Sequence, residues 1–396
     1  MTVAKEATPT TGKKKVVNVI SLSGGKDSTA LALLAVERGV ENPRFVFADT
    51  GHEHPATVEY VAYLDDVLKR LCGVGIQTVR ANFDERIAAK REFIKEKWFD
   101  DLVKGKPGRW QAKDGHREIA ATLCVPPAPR DVYANHETEH FRWIAPTDPL
   151  TPEEAADKIK RALDVLKPTG NPFLDLCLWK GRFPSTRRRF CSEQLKHVPI
   201  EEQVFMPLMK EHEALISWQG VRRDESHARA KLAERDVEFG QWEPEPKGIL
   251  IYRPILDWTV EDVFAMHRKH GIRWNPLYEQ GMGRVGCMPC IHAGKREMRE
   301  ITKRFPEEIE RVAAWEKLVS HAAKRDCSTL MDARQTAKFL GTDTRSKTIR
   351  PDSHGIKTYA QWAKTARGGK QMDLIAQAEE SPAALPMCSS IYGLCE

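Results

Sequence analysis

An α/β fold on a doubly wound parallel sheet is what this chain of 396 residues predicts. Three observations lead there. Short apolar, β-branched runs alternate with helix-periodic runs over the first 80 or so residues. A glycine turn joins the first such run directly to the first helix. No apolar stretch reaches the roughly 18 residues that a membrane span needs, so no membrane role is expected.

The elements follow in order. Val16-Val17-Asn18-Val19-Ile20 reads as a buried parallel strand ending at Ser21, and Ser28 to Arg38 as the helix it feeds. Arg44 to Ala48 is a second strand, followed by Asp49-Thr50-Gly51-His52-Glu53. From Thr57 to Leu71, apolar residues recur at helical spacing (Val58, Val61, Leu64, Val67, Leu68, Leu71), and Gly75 to Arg80 make a third strand. Ligands of such sheets bind at the carboxyl ends of the strands, where Ser23–Ser28 and Asp49–Glu53 both fall.

Beyond Asp84 the alternation stops. A charged helix near Glu85 to Lys97, a Pro-rich stretch at Val125 to Pro129 and a capped helix from Thr151-Pro152-Glu153-Glu154 to Leu166 read as a helical insertion or lid. Sheet-like sequence resumes at Ala214–Trp218 and Gly248–Tyr252, and Thr259 is placed to cap another helix. The expected organisation is a flexible N-terminus over 1–15 and an α/β domain over 16–300, with its insertion at about 85–185. A helical, basic C-terminal region over 301–396 follows, its terminal cysteines returning to the core.

Composition is that of a globular chain: 41% hydrophobic, 30% charged, formal net charge +6. The N-terminus lacks the apolar core of a signal peptide, so a cytoplasmic location is the expectation. Nine cysteines in such a chain point to metal or redox chemistry before structural disulfides.

Ser23-Gly24-Gly25-Lys26-Asp27-Ser28 has the makings of a phosphate cradle. Paired glycines turn tightly and admit an anion, the helix start offers unsatisfied N–H groups, and Lys26 adds a point charge. The spacing is neither that of a Walker A loop nor that of the Gly-x-Gly-x-x-Gly dinucleotide turn. SGGKDS resembles the PP-loop of the ATP-pyrophosphatase and phosphoadenosine-phosphosulfate (PAPS) reductase superfamily, whose fold is adenine nucleotide alpha hydrolase-like. Five further blocks resemble it in order: Asp49-Thr50-Gly51; Phe190-Cys191-Ser192-Glu193-Gln194-Leu195-Lys196; Trp218 to Ser226 with Arg229; Tyr252-Arg253-Pro254-Ile255 to Trp258; and Asn275-Pro276-Leu277-Tyr278 leading into Gly286-Cys287-Met288-Pro289-Cys290.

The resemblance implies an adenine nucleotide on Ser21, Ser23, Gly24, Gly25, Lys26, Asp27, Ser28, Asp49, Thr50, Gly220 and Arg222. Catalytic parts fall to Lys26, Ser28, Arg222 and Arg223, and substrate contacts to Arg188, Lys196, Arg223, Ser226 and Arg229. Guanidinium groups hold phosphate or sulfate bidentately and stay charged, which suits these arginines to a second anion; surface ion pairing is their plainer role. An intact loop implies ATP with Mg²⁺, cleaved to AMP and pyrophosphate so that an acceptor is adenylylated, in the service of sulfur transfer. Reductases of the superfamily typically lose the loop lysine and second glycine, and carry a nucleophilic cysteine in a C-terminal Glu-Cys-Gly block. Here the tail reads Gly-Leu-Cys-Glu, so a sulfonucleotide reductase using Cys395 is the alternative. ATP sulfurylase activity and a non-catalytic nucleotide- or nucleic-acid-binding module are further alternatives.

Cys287 and Cys290 have metal-ligand spacing. Cluster-bearing relatives carry two adjacent cysteines at the Cys191 block, but the second here is Ser192. A [4Fe–4S] cluster on Cys287, Cys290 and two of Cys191, Cys388 and Cys395 is expected, with zinc as the alternative. Cys72, Cys124, Cys177 and Cys327 read as small buried hydrophobes, and His52 and His54 as hydrogen-bonding or solvent-facing residues. Relatives acting in DNA phosphorothioation and tRNA thiolation imply nucleic acid as acceptor, with a cysteine desulfurase or thiol donor as partner. Between Arg334 and Lys370, nine Lys/Arg stand against two acidic residues, with Phe339, Tyr359 and Trp362 interleaved. That mixture suits a nucleic-acid backbone with base stacking, or simply a solvated basic surface.

Overall fold

Alternation along the first strand decides the layering. In β1 (Lys14–Leu22), Val17 and Val19 point to one face, and Ile20 and Leu22 to the other. The computed structural model describes residues 14–112, 138, 141–144, 146–342 and 349–366. After β1 come α1 (Lys26–Glu37), β2 (Pro43–Asp49), α2 (Pro55–Cys72), β3 (Ile76–Arg80), β4 (Arg109–Ala112), β5 (Phe141–Ile144), β6 (His212–Trp218), β7 (Arg235–Gln241) and β8 (Lys247–Tyr252). One sheet has the order β3-β2-β1-β6-β8-β7, parallel throughout except for β7 against β8, and β4 and β5 form a separate antiparallel pair. This is the expected α/β architecture with a largely parallel sheet.

The described residues fall into two compact units: 14–81 with 192–288, and 82–191 with 289–366. In the first, α1, α2 and the helix Val260–Lys269 cover one face through Leu31, Leu64 and Val263 against Ile20, Phe45 and Trp218. The other face, with Val17, Val46, Val79 and Leu215, is closed by Ile200, Val204, Phe205 and Leu208. These sit on a helical run from Glu193 to Glu211 that alternates π and α turns. The chain winds from β1 outward to β3 and later restarts on the other side of β1 with β6. The switch point between β1 and β6 is therefore where the loops after both strands meet.

The second unit combines the segment expected as an insertion with the segment expected as a C-terminal extension. Helices Pro152–Val165 and Pro172–Lys180 pack with Asp84–Lys104 and with Pro306–Ala322, which also contacts Lys295–Arg304 and Ile356–Ala363. Lys324 pairs with Asp101 at 2.6 Å, and Lys158 with Asp326 at 3.0 Å. Two segments far apart in sequence thus share one core, which local pattern cannot reveal.

The caps explain several boundaries. Thr151 and Glu154 form a capping box, as do Thr259 and Asp262. His54 Nδ1 accepts the Ala56 N–H at 3.1 Å and starts α2, and Gly73 ends it at φ +74°. The elements that escaped sequence reading include the helix Pro172–Lys180, strands β4 and β5, the helical run Glu193–Glu211 and the edge strand β7. Every residue of β7 is exposed, Phe239 by 72%, and the β7–β8 register shifts between Val237 and Phe239. No helix of the described residues is long and apolar enough to cross a membrane.

Glu316, 1% exposed, accepts the Leu330 and Ile356 N–H groups at 2.8 Å each. Burial pushes its carboxyl up from 4.5 to about 7, against the pull of those two hydrogen bonds. The folded chain therefore holds its proton more tightly than the unfolded chain does. The stabilisation is complete below about pH 4.5 and is lost as pH rises through 7. Between about pH 5 and about pH 8 the loss should be on the order of 3 kcal/mol. Thermal melts of the parent should fall over this range, and Glu316→Gln, which cannot titrate, should flatten that component of the slope.

Candidate nucleotide site

The loop after β1 enters α1 at Gly25, an extended cap with no side-chain partner. Among the described residues, the N–H groups of Gly24, Gly25 and Asp27 meet no acceptor, so they are open to an anion at the positive end of a helix of 12 residues. Gly24 stands at φ +70°, and a Cβ there would lie 2.8 Å from Thr57 Cγ2. The loop is braced from within: Ser28 Oγ donates to the Gly25 carbonyl at 3.0 Å and accepts the Ser23 N–H at 3.1 Å. Ser21 pairs with Val46 in the β1–β2 ladder just before the turn.

Three residues clamp the loop from late in the sequence. Asn275, fully buried, donates its amide to the Gly24 carbonyl at 3.1 Å and to Thr57 Oγ1 at 3.2 Å. Tyr278 accepts the Lys26 N–H at 3.0 Å. His267 meets the Lys26 carbonyl through Nε2 at 3.0 Å, so Nε2 carries the proton, and burial lowers the pKa of its imidazole. Lys26 is thus fixed at both ends of its peptide unit.

Charge brings in the second loop. Lys26 Nζ lies 2.9 Å from Asp27, whose other oxygen takes Arg222 Nε at 2.6 Å. Arg222 also reaches Asp224 at 2.7 Å and is 3% exposed. Burial by itself would lower its pKa, but Asp27, Asp224 and Glu225 outweigh this and leave the guanidinium more basic than usual. Gly220 permits the approach, since a Cβ there would stand 3.2 Å from Ser28 Cα.

The rest of the arginine loop is engaged in holding its own shape. Arg223 binds Asp257 at 2.6 Å and the carbonyls of Ala230 and Leu232 at 2.8 and 2.7 Å, the contacts of a loop anchor. Ser226 caps the short helix His227–Ala230, and Arg229 pairs with Glu225. Lys196 lies half-buried on a π turn and has no side-chain partner among the described residues.

At the end of β2, Asp49 accepts the Gly51 N–H at 2.8 Å and pairs with Arg80 at 3.3 Å. Thr50 donates to Glu53 at 2.7 Å. This block pairs with the first cysteine of Cys-x-x-Cys: Glu53 and Cys287 form an antiparallel bridge, and Cys287 Sγ is 3.9 Å from Glu53 Oε1. Among the described residues, no group of three or more His, Cys, Asp or Glu converges as a metal site. Cys388 and Cys395 lie outside the described residues, as does Cys124. Among the described residues, the Cys287 surroundings alone do not make a cluster site.

In the helical unit, Arg188 is exposed on a tight turn with Ser185, and Cys191 and Cys290 are half-buried. Of the rings expected to stack on bases, Tyr359 is 9% exposed, and Lys295 Nζ lies 4.8 Å above Trp362.

Residues 17–293 match the phosphoadenosine phosphosulfate reductase domain. The chain belongs to the PAPS reductase family. It is 43% identical to an uncharacterized 37.8 kDa protein of Escherichia phage 186, over 97% of this chain and 98% of that one. An adenosine 5′-phosphosulfate reductase of Burkholderia cepacia is 38% identical over 74 residues, 19% of this chain and 27% of the reductase. A PAPS reductase structure from Candida auris, in phosphate complex, aligns with TM-score 0.32 and 14% identity over 68% of this chain and 80% of that one.

Within this family member, the structure joins Ser23 to Ser28 with Gly220 and Arg222, and adds Asn275, Tyr278, His267 and Thr57, to which sequence reading gave no role. Asn275 and Tyr278 both lie in the family-like block Asn275-Pro276-Leu277-Tyr278, but nothing in the sequence marks either as a partner of Gly24 or Lys26. Asn275→Ala would strand the buried Gly24 carbonyl, and should cost about 1–3 kcal/mol in urea denaturation together with nucleotide affinity.

Proposed function

We propose that this PAPS reductase family chain binds ATP on the Ser23–Ser28 loop, cleaves it between the α and β phosphates, and passes AMP to an acceptor for sulfur transfer. The observation that carries the reading is Lys26, 5% exposed, held on the first turn of α1 beside open N–H groups and sharing Asp27 with Arg222. The resting cations are neutralised by carboxylates, so an incoming polyphosphate takes over a role that Asp27 performs alone. Lys26 then moves its hydrogen bond from Asp27 to a phosphate oxygen, and Arg222 stays anchored through Asp224.

The acceptor's nucleophile attacks the α-phosphorus, the bond to the bridging oxygen breaks, and pyrophosphate leaves with the electron pair. Lys26 and the amides of Gly24, Gly25 and Asp27 stabilise the charge that develops on it. Mg²⁺ brought in with the ATP would neutralise part of that charge. Ser28 keeps the loop in shape through Gly25. Nucleic acid is the proposed acceptor, met through phosphate contacts of the basic C-terminal region, with a cysteine desulfurase or thiol donor supplying sulfur. The cysteines remain proposed ligands of a [4Fe–4S] cluster, or of zinc.

The second reading, a sulfonucleotide reductase, draws support from the named adenosine 5′-phosphosulfate reductase relatives. There Cys395 would attack the sulfate sulfur and break its S–O bond to the nucleotide's phosphate, releasing AMP, and a thiol would then attack the resulting cysteine S-sulfonate to release sulfite. Anaerobically purified protein should release pyrophosphate from ATP in the presence of a nucleic-acid acceptor. Lys26→Ala should lower that rate by about 100-fold or more while the circular dichroism spectrum is kept. Sulfite release from adenosine 5′-phosphosulfate and a thiol, without pyrophosphate from ATP, would sink the first reading and establish the second.

A further inference from the structure

The helical unit contains a cleft of about 440 Å³ that none of the chemistry above uses. Its floor includes apolar and aromatic side chains, Phe183, Leu330, Met331 and Tyr359, between 4 and 9% exposed, and polar Ser185, Thr186, His292 and Thr329 also line the cleft. Its rim is charged, with Arg187, Arg334 and Asp332. The volume lies in the range of sites for small organic ligands.

The walls are tied together before any ligand arrives. The Phe183 N–H donates to Ser328 Oγ at 3.1 Å, and Ser328 in turn donates its N–H to Ser320 Oγ at 2.9 Å. The Leu330 N–H is held by buried Glu316. Asp332 caps the helix Ala333–Leu340 through the Arg334 N–H at 3.0 Å. Ser185 and Arg188 exchange backbone hydrogen bonds at 3.2 and 3.0 Å, which sets Arg187 inside a tight turn.

The charges at the rim differ in one respect. Arg334 already spends Nε and Nη2 on Asp332, at 3.2 Å each. Arg187 has no hydrogen-bond or ion-pair partner among the described residues. An unpaired guanidinium beside apolar and aromatic side chains suits a ligand with an anionic group at one end and a planar ring at the other. A bare anion would leave the floor wet, and a neutral apolar ligand would leave Arg187 unused. Asp332 offers an acceptor for a hydroxyl or amino group between the two.

We propose that this cleft binds a nucleoside monophosphate group, its heterocycle on the Phe183, Met331 and Tyr359 floor and its phosphate on Arg187 with Arg334 beside it. The group can come as a free nucleotide or as one residue of a nucleic-acid strand. The proposal stands apart from turnover at the Ser23–Ser28 loop, because every residue it uses belongs to the helical unit.

The test is isothermal titration of the full chain with the four nucleoside 5′-monophosphates, a 5′-phosphorylated thymidine tetranucleotide and inorganic phosphate. At least one nucleotide probe should bind more tightly than inorganic phosphate. Arg187→Ala should weaken it by about tenfold or more, as loss of a charge-assisted hydrogen bond to phosphate does. Met331→Trp, which fills the floor and leaves every charge in place, should weaken it comparably. Both variants should bind MgATP as the parent does, and exposed Arg187 should leave the melting temperature unchanged. A tetranucleotide that binds at least tenfold tighter than the monophosphates identifies a strand as the source, and equal affinities identify the free nucleotide; either supports the site. Equal nucleotide binding by parent and Arg187→Ala would overturn the proposal, as would inorganic phosphate matching the nucleotides, or no binding by any nucleotide probe.

Discussion

A single carboxylate, that of Asp27, holds the candidate nucleotide site together. Lys26 and Arg222 come from the ends of two different strands and are both buried, so without a shared anion they would repel in a place water does not reach. The sheet order makes the sharing possible. β1 lies directly between β2 and β6, and the register sets Ile20 against Trp218, so the turns that follow both strands emerge side by side. Gly220 removes the last steric obstacle, and Asp224 gives Arg222 a second anchor that does not depend on Asp27. The backbone around Lys26 is fixed separately, by neutral hydrogen bonds from Asn275, Tyr278 and His267. Positioning and charge are therefore handled by different residues. The cation can change partners without the loop changing shape.

The parts of this arrangement legible in the sequence are those with a local signature. β-branched runs gave β1, β2, β3, β6 and β8 to within two residues, because parallel strands covered on both faces are continuous apolar stretches. Capping boxes at Thr151 and Thr259 were readable because the bond spans three residues. The Ser23–Ser28 loop was readable because its glycines and lysine are contiguous. β7 was not, since its residues are polar and its place comes from pairing with β8 rather than from burial. Nor was the role of Tyr278, whose contact with Lys26 spans 252 positions. Arg223 illustrates the opposite error: side by side with Arg222 in sequence, it looked equally suited to an anion, yet it spends its donors on Asp257 and two carbonyls. Arg222 is the extended cap and Arg223 the first residue of the 3₁₀ turn Arg223–Glu225, so their side chains diverge, and sequence alone does not say which one faces the loop.

The helical unit carries the same lesson at a larger scale. The segment read as an insertion or lid and the segment read as a C-terminal region fall in one compact unit. Together they close around Pro306–Ala322, whose Val312 and Val319 are fully buried. Of the basic residues between Arg334 and Lys370, Arg334 pairs with Asp332 and Lys357 with Glu310. Lys295 and Arg299 donate to carbonyls at the end of the helix Ile356–Ala363, where cations complement the dipole.

The exposed strand β7 has a consequence of another kind. An open sheet edge displays unsatisfied backbone groups and, with Phe239 outward, an apolar handle; such edges recruit strands from other molecules. Here Arg235, Asp236 and Glu238 crowd the same strand, and the irregularity between Val237 and Phe239 interrupts the regular spacing that a foreign strand would need. The sheet ends at β7 because its outermost member is a poor template. Self-association into fibres is thereby discouraged by seven residues that no step of the chemistry requires.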